Sequence, residues 1–121
     1  MKYILAADDE PVNREIIEEI LADDYEVVCV EDGLQCLQSI AKRVPDMLLL
    51  DVAMPVMDGF EVCKKLRSET STRDLPIFMV SGFASTEHIN KGLQAGANKY
   101  ITKPFIPCDL LKALDDFFRN I

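Results

Sequence analysis

Five short apolar runs, at positions 2–7, 26–30, 46–50, 77–81 and 98–102, recur along the chain, and each is followed by a stretch of helical periodicity. Each run has the length of a buried strand. A strand followed by a helix, five times over, implies a parallel sheet covered on both faces, because right-handed crossovers place the helices there. No internal repeat, low-complexity run or linker-like composition divides the 121 residues, so positions 1–121 are read as one domain.

Local signals bound the helices. Pro11 suits a first helical turn, where its missing N–H has no partner, and Val12, Ile16 and Ile20 offer an apolar stripe ending near Asp23-Asp24. Asp32 and Gln35 can cap a second helix reciprocally, with Leu34, Leu37 and Ile40 inward and Pro45 as its limit. Asp58 and Glu61 repeat that device for a third. Ser85 or Thr86 caps a fourth through Gln94, closed by Gly96, and a fifth follows Pro107 with Leu110, Leu111, Leu114, Phe117 and Phe118.

In open parallel sheets, sites form at the carboxyl ends of the strands. Those ends carry Asp8-Asp9, Asp51, Ser81 and Lys103. Carboxylates packed so closely raise one another's pKa and destabilise the fold unless a cation neutralises them, and hard oxygen donors suit Mg²⁺, with Mn²⁺ as the alternative. A carboxylate is then a competent nucleophile towards phosphorus with no general base, since positioning and electrostatics supply most of the catalysis.

Asp8-Asp9-Glu10-Pro11, the segment from Asp51 through Ala53, Met54, Pro55 and Asp58 to Gly59, Ser81-Gly82 and Lys103-Pro104-Phe105 together resemble the response-regulator receiver family along essentially the whole chain. The resemblance implies an α/β fold of the flavodoxin-like doubly wound (βα)5 type, with a parallel five-stranded sheet of order 2-1-3-4-5. It implies that Asp51 is the phosphoacceptor, and that Asp9, Asp51 and the Ala53 carbonyl bind Mg²⁺ directly while Asp8 helps through water. Lys103 would pair with Asp51 at rest, Ser81 would bond a phosphoryl oxygen, Tyr100 is the aromatic switch position, and the Lys103-Pro104 peptide would be cis. Ala53 and Phe83 would flank the path of the hydrolytic water. The implied function is a two-component phosphorylation switch without separate enzymatic turnover. Its phosphoryl donor would be a histidine kinase or phosphotransfer protein, and its output a downstream protein or a covalently attached output domain, addressed through helix four, strand five and helix five.

Other readings compete with this one. A phosphohydrolase of the haloacid-dehalogenase type wants a second Asp two residues after the nucleophile, where Ala53 stands. A flavodoxin-like electron carrier would share the sheet, but Asp8-Asp9-Glu10 would repel its phosphate. A degenerate receiver used only as a scaffold is the remaining alternative, and it has no need of an intact acid pocket. Taken singly, the acidic residues could be turn and capping groups and Lys103 a solvated charge. His88 reads as a surface histidine, Phe117-Phe118 as an anchor for the last helix, and Cys29, Cys36, Cys63 and Cys108 as free buried thiols without metal spacing.

The net charge of −8, without a basic stripe, disfavours direct nucleic-acid binding. No run reaches membrane-spanning length and no secretory segment leads the chain, so the expectation is cytoplasmic, with no membrane partner. The chain stops where the fifth helix should end, which suits a stand-alone receiver or a fragment of a longer regulator; Val12-Asn13-Arg14 looks like the first-helix start of hybrid-kinase receivers.

Overall fold

In the computed structural model, which describes residues 1–120, strands and helices alternate without exception: β1 (Tyr3–Ala7), α1 (Pro11–Leu21), β2 (Glu26–Val30), α2 (Gly33–Lys42), β3 (Met47–Leu50), α3 (Gly59–Ser68), β4 (Ile77–Ser81), α4 (Thr86–Ala95), β5 (Lys99–Thr102) and α5 (Pro107–Arg119). Ile121, the last residue of the expected domain, lies outside the described residues. All four strand pairings are parallel, and the order is β2-β1-β3-β4-β5, the flavodoxin-like arrangement.

Every residue of β1, β3 and β4 is buried, whereas the edge strands β2 and β5 contain no fully buried residue. Successive side chains of a strand point to opposite faces, so β1 sends Ile4 and Ala6 one way and Leu5 and Ala7 the other. The first set joins Met47, Leu49, Phe78 and Val80 beneath Ile17 and Leu21 of α1 and Leu110 and Leu114 of α5. Across the sheet, Leu5, Leu48, Leu50, Ile77 and Met79 meet Cys36 and Ile40 of α2 and Val62, Cys63 and Leu66 of α3.

Three strands begin one residue later than their apolar runs suggest. Two of the polar residues in front turn their side chains into the ladder: the Asp46 carboxylate accepts the Tyr3 N–H at 2.7 Å, and the Asn98 amide oxygen accepts the Ile77 N–H at 2.8 Å. Helix α1 stops at Leu21 and buries Ile17 and Leu21, while Val12 and Ile16 of the expected stripe are exposed. The same rotation exposes Leu34 on α2, which buries Cys36 and Ile40. An i, i+4 apolar series marks a face, but which of two neighbouring series faces the sheet depends on the axial rotation set by packing. Of the cysteines, Cys36 and Cys63 are buried as expected, Cys29 is half-buried and Cys108 is exposed, because position 108 lies on the outer side of the first turn of α5.

The expected residues accept the capping bonds, but neither reciprocal cap closes. Asp32 accepts the Gln35 N–H at 2.8 Å, though Gln35 returns its side-chain oxygen to the N–H of Glu31 rather than of Asp32. Asp58 accepts from the Glu61 N–H, Ser85 caps α4, and Gly96 takes the left-handed conformation (φ +115°) that ends it. No helix among the described residues is long and apolar enough to cross a membrane.

Gly59 brings the start of α3 against the end of β3. A Cβ there would collide with the Asp51 carbonyl oxygen and lie 3.0 Å from the Val52 Cα, both backbone atoms that have no room to yield. Gly59→Ala should therefore cost roughly 2–3 kcal/mol of stability by overpacking. Gly82→Ala, where a Cβ meets nothing within 4 Å, should leave the urea midpoint near that of the parent. Coincident midpoints for the two variants would show that α3 does not depend on this approach.

Candidate functional site

Parallel strands deliver all their carboxyl ends to one edge, and the ladder continues past the strands there. The Asp8 N–H bonds the Val30 carbonyl, the Asp51 N–H the Ala7 carbonyl and the Lys103 N–H the Ser81 carbonyl, at 2.8–3.1 Å, so the backbone beneath each functional side chain is fixed. Asp8, Asp51 and Ser81 are buried, Lys103 is half-buried, and Asp9 is exposed at the rim. Carboxylate oxygens of Asp8, Asp9 and Asp51 lie within 4.8 Å of one another, close enough to hold a divalent cation. With Ala53, Ser81, Phe83 and Lys103, Asp9 and Asp51 line a cleft of about 350 Å³.

Lys103 makes the expected ion pair with Asp51 but lies closer to Asp8. Its Nζ sits 2.6 Å from Asp8 Oδ2 and 3.6 Å from Asp51 Oδ2, so Asp8 holds the short ion pair and Asp51 a longer one. Asp8 Oδ1 also accepts the Glu10 N–H, and Asp51 Oδ1 accepts the Val52 N–H at 2.8 Å. The Lys103–Pro104 peptide is cis, the geometry the resemblance implied. Between β3 and α3, Met57 N–H bonds the Pro55 carbonyl across Val56, a γ-turn that forces a β-branched residue to φ +72°.

Residues 4–115 match the model of the response regulator receiver domain family. The chain belongs to this family. It is 40% identical over 118 residues to the response regulator MprA of Mycobacterium leprae, covering 97% of this chain and 51% of that protein. It is 39% identical over 102 residues to the response regulator PleD of Caulobacter vibrioides, covering 84% of this chain and 22% of that protein. The chain thus spans about half the length of its MprA relative and less of PleD. The receiver domain of sensor histidine kinase PA1611 from Pseudomonas aeruginosa, solved with a magnesium ion in its active-site cleft, superposes with a TM-score of 0.88 at 34% identity, covering 95% of each chain.

In this receiver Ser81 Oγ accepts the Phe83 N–H at 3.1 Å, which leaves its own proton available. Tyr100 is half-buried and donates its phenol to the Phe83 carbonyl at 2.6 Å. The Phe83 ring does not fold over Asp51 but stacks on His88 of α4, with centroids 4.8 Å apart. His88, read from sequence as an isolated surface residue, is thus half-buried and part of the wall beside the cleft. Arg14, noted in the sequence only as part of the first-helix start, is a second residue that reaches the site. Its guanidinium donates to the Asp8 carbonyl at 2.8 Å and pairs with Glu31 at 3.5 Å, and only its place one turn into α1 hinted at either contact.

Burial pushes the Asp51 carboxyl up to about 6, helped by Asp8 and Asp9 and opposed by Lys103 and the Val52 N–H. Because the folded value lies above the unfolded one, the folded state holds this proton more tightly. The resulting stabilisation is complete below about pH 4 and disappears as pH rises through about 6, leaving ionised Asp51 at a cost on the order of 3 kcal/mol. In EDTA, Asp51→Asn should be more stable than the parent, with a gap that widens from pH 5 to pH 7.5. Urea denaturation at the two values measures this, and a gap independent of pH would contradict the burial of a titrating Asp51.

Proposed function

We propose that this receiver is a magnesium-dependent phosphoacceptor switch of a cytoplasmic two-component system, with Asp51 as the residue modified. The observation that carries the reading is three converging carboxylates faced by one ammonium, with the central one buried at the floor of an open cleft. That excess of hard anionic oxygen fits Mg²⁺, the ion coordinated in the active-site cleft of the PA1611 receiver. Asp9, Asp51 and the Ala53 carbonyl would hold it directly and Asp8 through water; Mn²⁺ suits the same donors. When bound, the metal supplies charge neutralisation for the carboxylates and the incoming phosphoryl oxygens.

The chain's own residues do the rest. An Asp51 carboxylate oxygen attacks phosphorus in line with the bond to the donor; the new O–P bond forms as the bond from phosphorus to the donor histidine breaks, and the imidazole leaves with the electron pair. Lys103, already between Asp8 and Asp51, turns its ammonium to a phosphoryl oxygen. Ser81 donates its free proton to another. Tyr100 then exchanges its bond to the Phe83 carbonyl for an inward position, and the surface of α4, β5 and α5 changes. A bias of a few kcal/mol suffices to move such a two-state population. The donor is a histidine kinase or phosphotransfer protein, and the changed surface addresses a downstream protein or an attached output domain. Neither nucleic acid nor membrane is a direct partner.

Acetyl phosphate or beryllofluoride should modify the parent only with Mg²⁺ present, and Asp51→Asn should take no label, as read by intact mass or by fluorine resonance. Labelling of that variant rejects the phosphoacceptor, labelling in EDTA rejects the metal, and an inert parent leaves the receiver as a scaffold.

Self-hydrolysis should be slow for a receiver, because Ala53 and Phe83 offer no side-chain group that orients a water in line with phosphorus. Replacing Ala53→Asn together with Phe83→Glu should speed loss of the phosphoryl group by about ten-fold or more, the scale of positioning one reactant. Phosphate release after removal of the donor follows the decay, and an unchanged rate would dismiss both positions.

A further inference from the structure

Phe83 has its main chain tied down at both ends and its ring held by one neighbour. The N–H is bonded to Ser81 Oγ and the carbonyl to the Tyr100 phenol, so only the side chain has freedom to move. Phe83 is 44% exposed, and its ring lies against the imidazole of His88 with an angle of 23° between the planes. His88 is itself fixed: its Nδ1 shares a 2.5 Å hydrogen bond with Ser85 Oγ, and the same hydroxyl accepts the His88 N–H and caps α4. The cap of the helix thereby sets the orientation of the imidazole, and the imidazole sets the Phe83 ring.

The ring stands between two cavities. On one side is the cleft over Asp51; on the other is a cavity of about 300 Å³ bounded by Asp58, Phe60, Glu87, His88 and Lys91. Ala53, like Phe83, lines both, so an apolar side chain borders the cleft over Asp51 as well as the second cavity. Ala53 carries only a methyl group, which leaves space for a phenyl ring to lie over it. A ring released from His88 would bury its exposed face by turning towards Ala53, and that movement covers Asp51.

We infer that His88 is a positioning residue for phosphoryl transfer: it parks the Phe83 ring against α4 and so keeps the approach to Asp51 open to both phosphodonor and water. This rests on the phosphoacceptor reading of Asp51. His88 acts only through Phe83 and touches neither the acid cluster nor the reacting atoms. The range of energies that one aromatic stack spans corresponds to rate effects of about two- to ten-fold.

The test uses the chain as it is, with acetyl phosphate as donor and Mg²⁺ present. His88→Ala should slow labelling and later loss of the phosphoryl group together, by about two- to ten-fold, while Mn²⁺ affinity in the unlabelled protein stays at the parental value. His88→Phe, which keeps a stacking ring, should restore both rates, and Phe83→Ala with His88→Ala should behave like Phe83→Ala alone. An independent readout comes from magnetic resonance, because the chain has a single histidine. Its ring protons lie over the face of Phe83, so Phe83→Ala should move them downfield. Parental rates in His88→Ala, failure of His88→Phe to restore them, or ring protons indifferent to Phe83→Ala overturns the inference. A labelled parent in those cases leaves the phosphoacceptor reading standing, whereas a parent that takes no label at all overturns that reading and this one with it.

Discussion

Three acids share one edge of the sheet because the strands beneath them are parallel and fully buried, and everything else in the site adjusts to that crowding. β1 and β3 are adjacent and in register, with Ala7 opposite Leu50, so Asp8 and Asp51 emerge side by side. Hydrogen bonds from Asp8 to β2 and from Asp51 to β1 prevent the two backbones from spreading apart. Repulsion between the carboxylates is thus held in place by the hydrogen-bonded ladder and the apolar packing of two faces, which together outweigh it.

One cation is set against this repulsion. Lys103 reaches the acids from the end of β5, beyond β3 and β4 in the sheet, and its short contact falls on Asp8 rather than Asp51. Asp51 is therefore the less neutralised of the two buried acids: burial raises its carboxyl to about 6, and Lys103 opposes that only through a long ionic contact. A divalent cation would relieve the remaining imbalance. Arg14, bonded to the Asp8 carbonyl from outside, adds main-chain support without entering the acid cluster.

Loops above the strand ends connect the site to the neighbouring helices and to β5. The γ-turn at Val56 holds the β3–α3 connection in a conformation few β-branched residues adopt, beside the close approach of Gly59 to Asp51. The β4–α4 loop links Ser81 to Phe83 and Ser85 to His88 by hydrogen bonds and Phe83 to His88 by one stack, and Tyr100 joins that loop to β5. A group that engages Ser81 therefore acts on a connected set of residues reaching α4 and β5.

Sequence by itself determined the alternation of elements, the edge of the sheet where chemistry belongs, and the identity of the acids, hydroxyl and ammonium there. Those features are local: strand-length apolar runs, Pro11 and Pro107 opening helices, Asp32, Asp58 and Ser85 capping them, and Gly96 closing one. Tertiary structure alone decided which face of α1 and α2 turns inward, leaving Val12, Ile16 and Leu34 outside, and which acid holds Lys103. It also brought His88 under Phe83 and Arg14 to the Asp8 carbonyl. Such choices depend on distances between side chains on different elements, differing by about an ångström, and on the rotation of a helix about its axis. Neither quantity is written in the spacing of residues along one chain, because both are fixed only when all the elements pack at once.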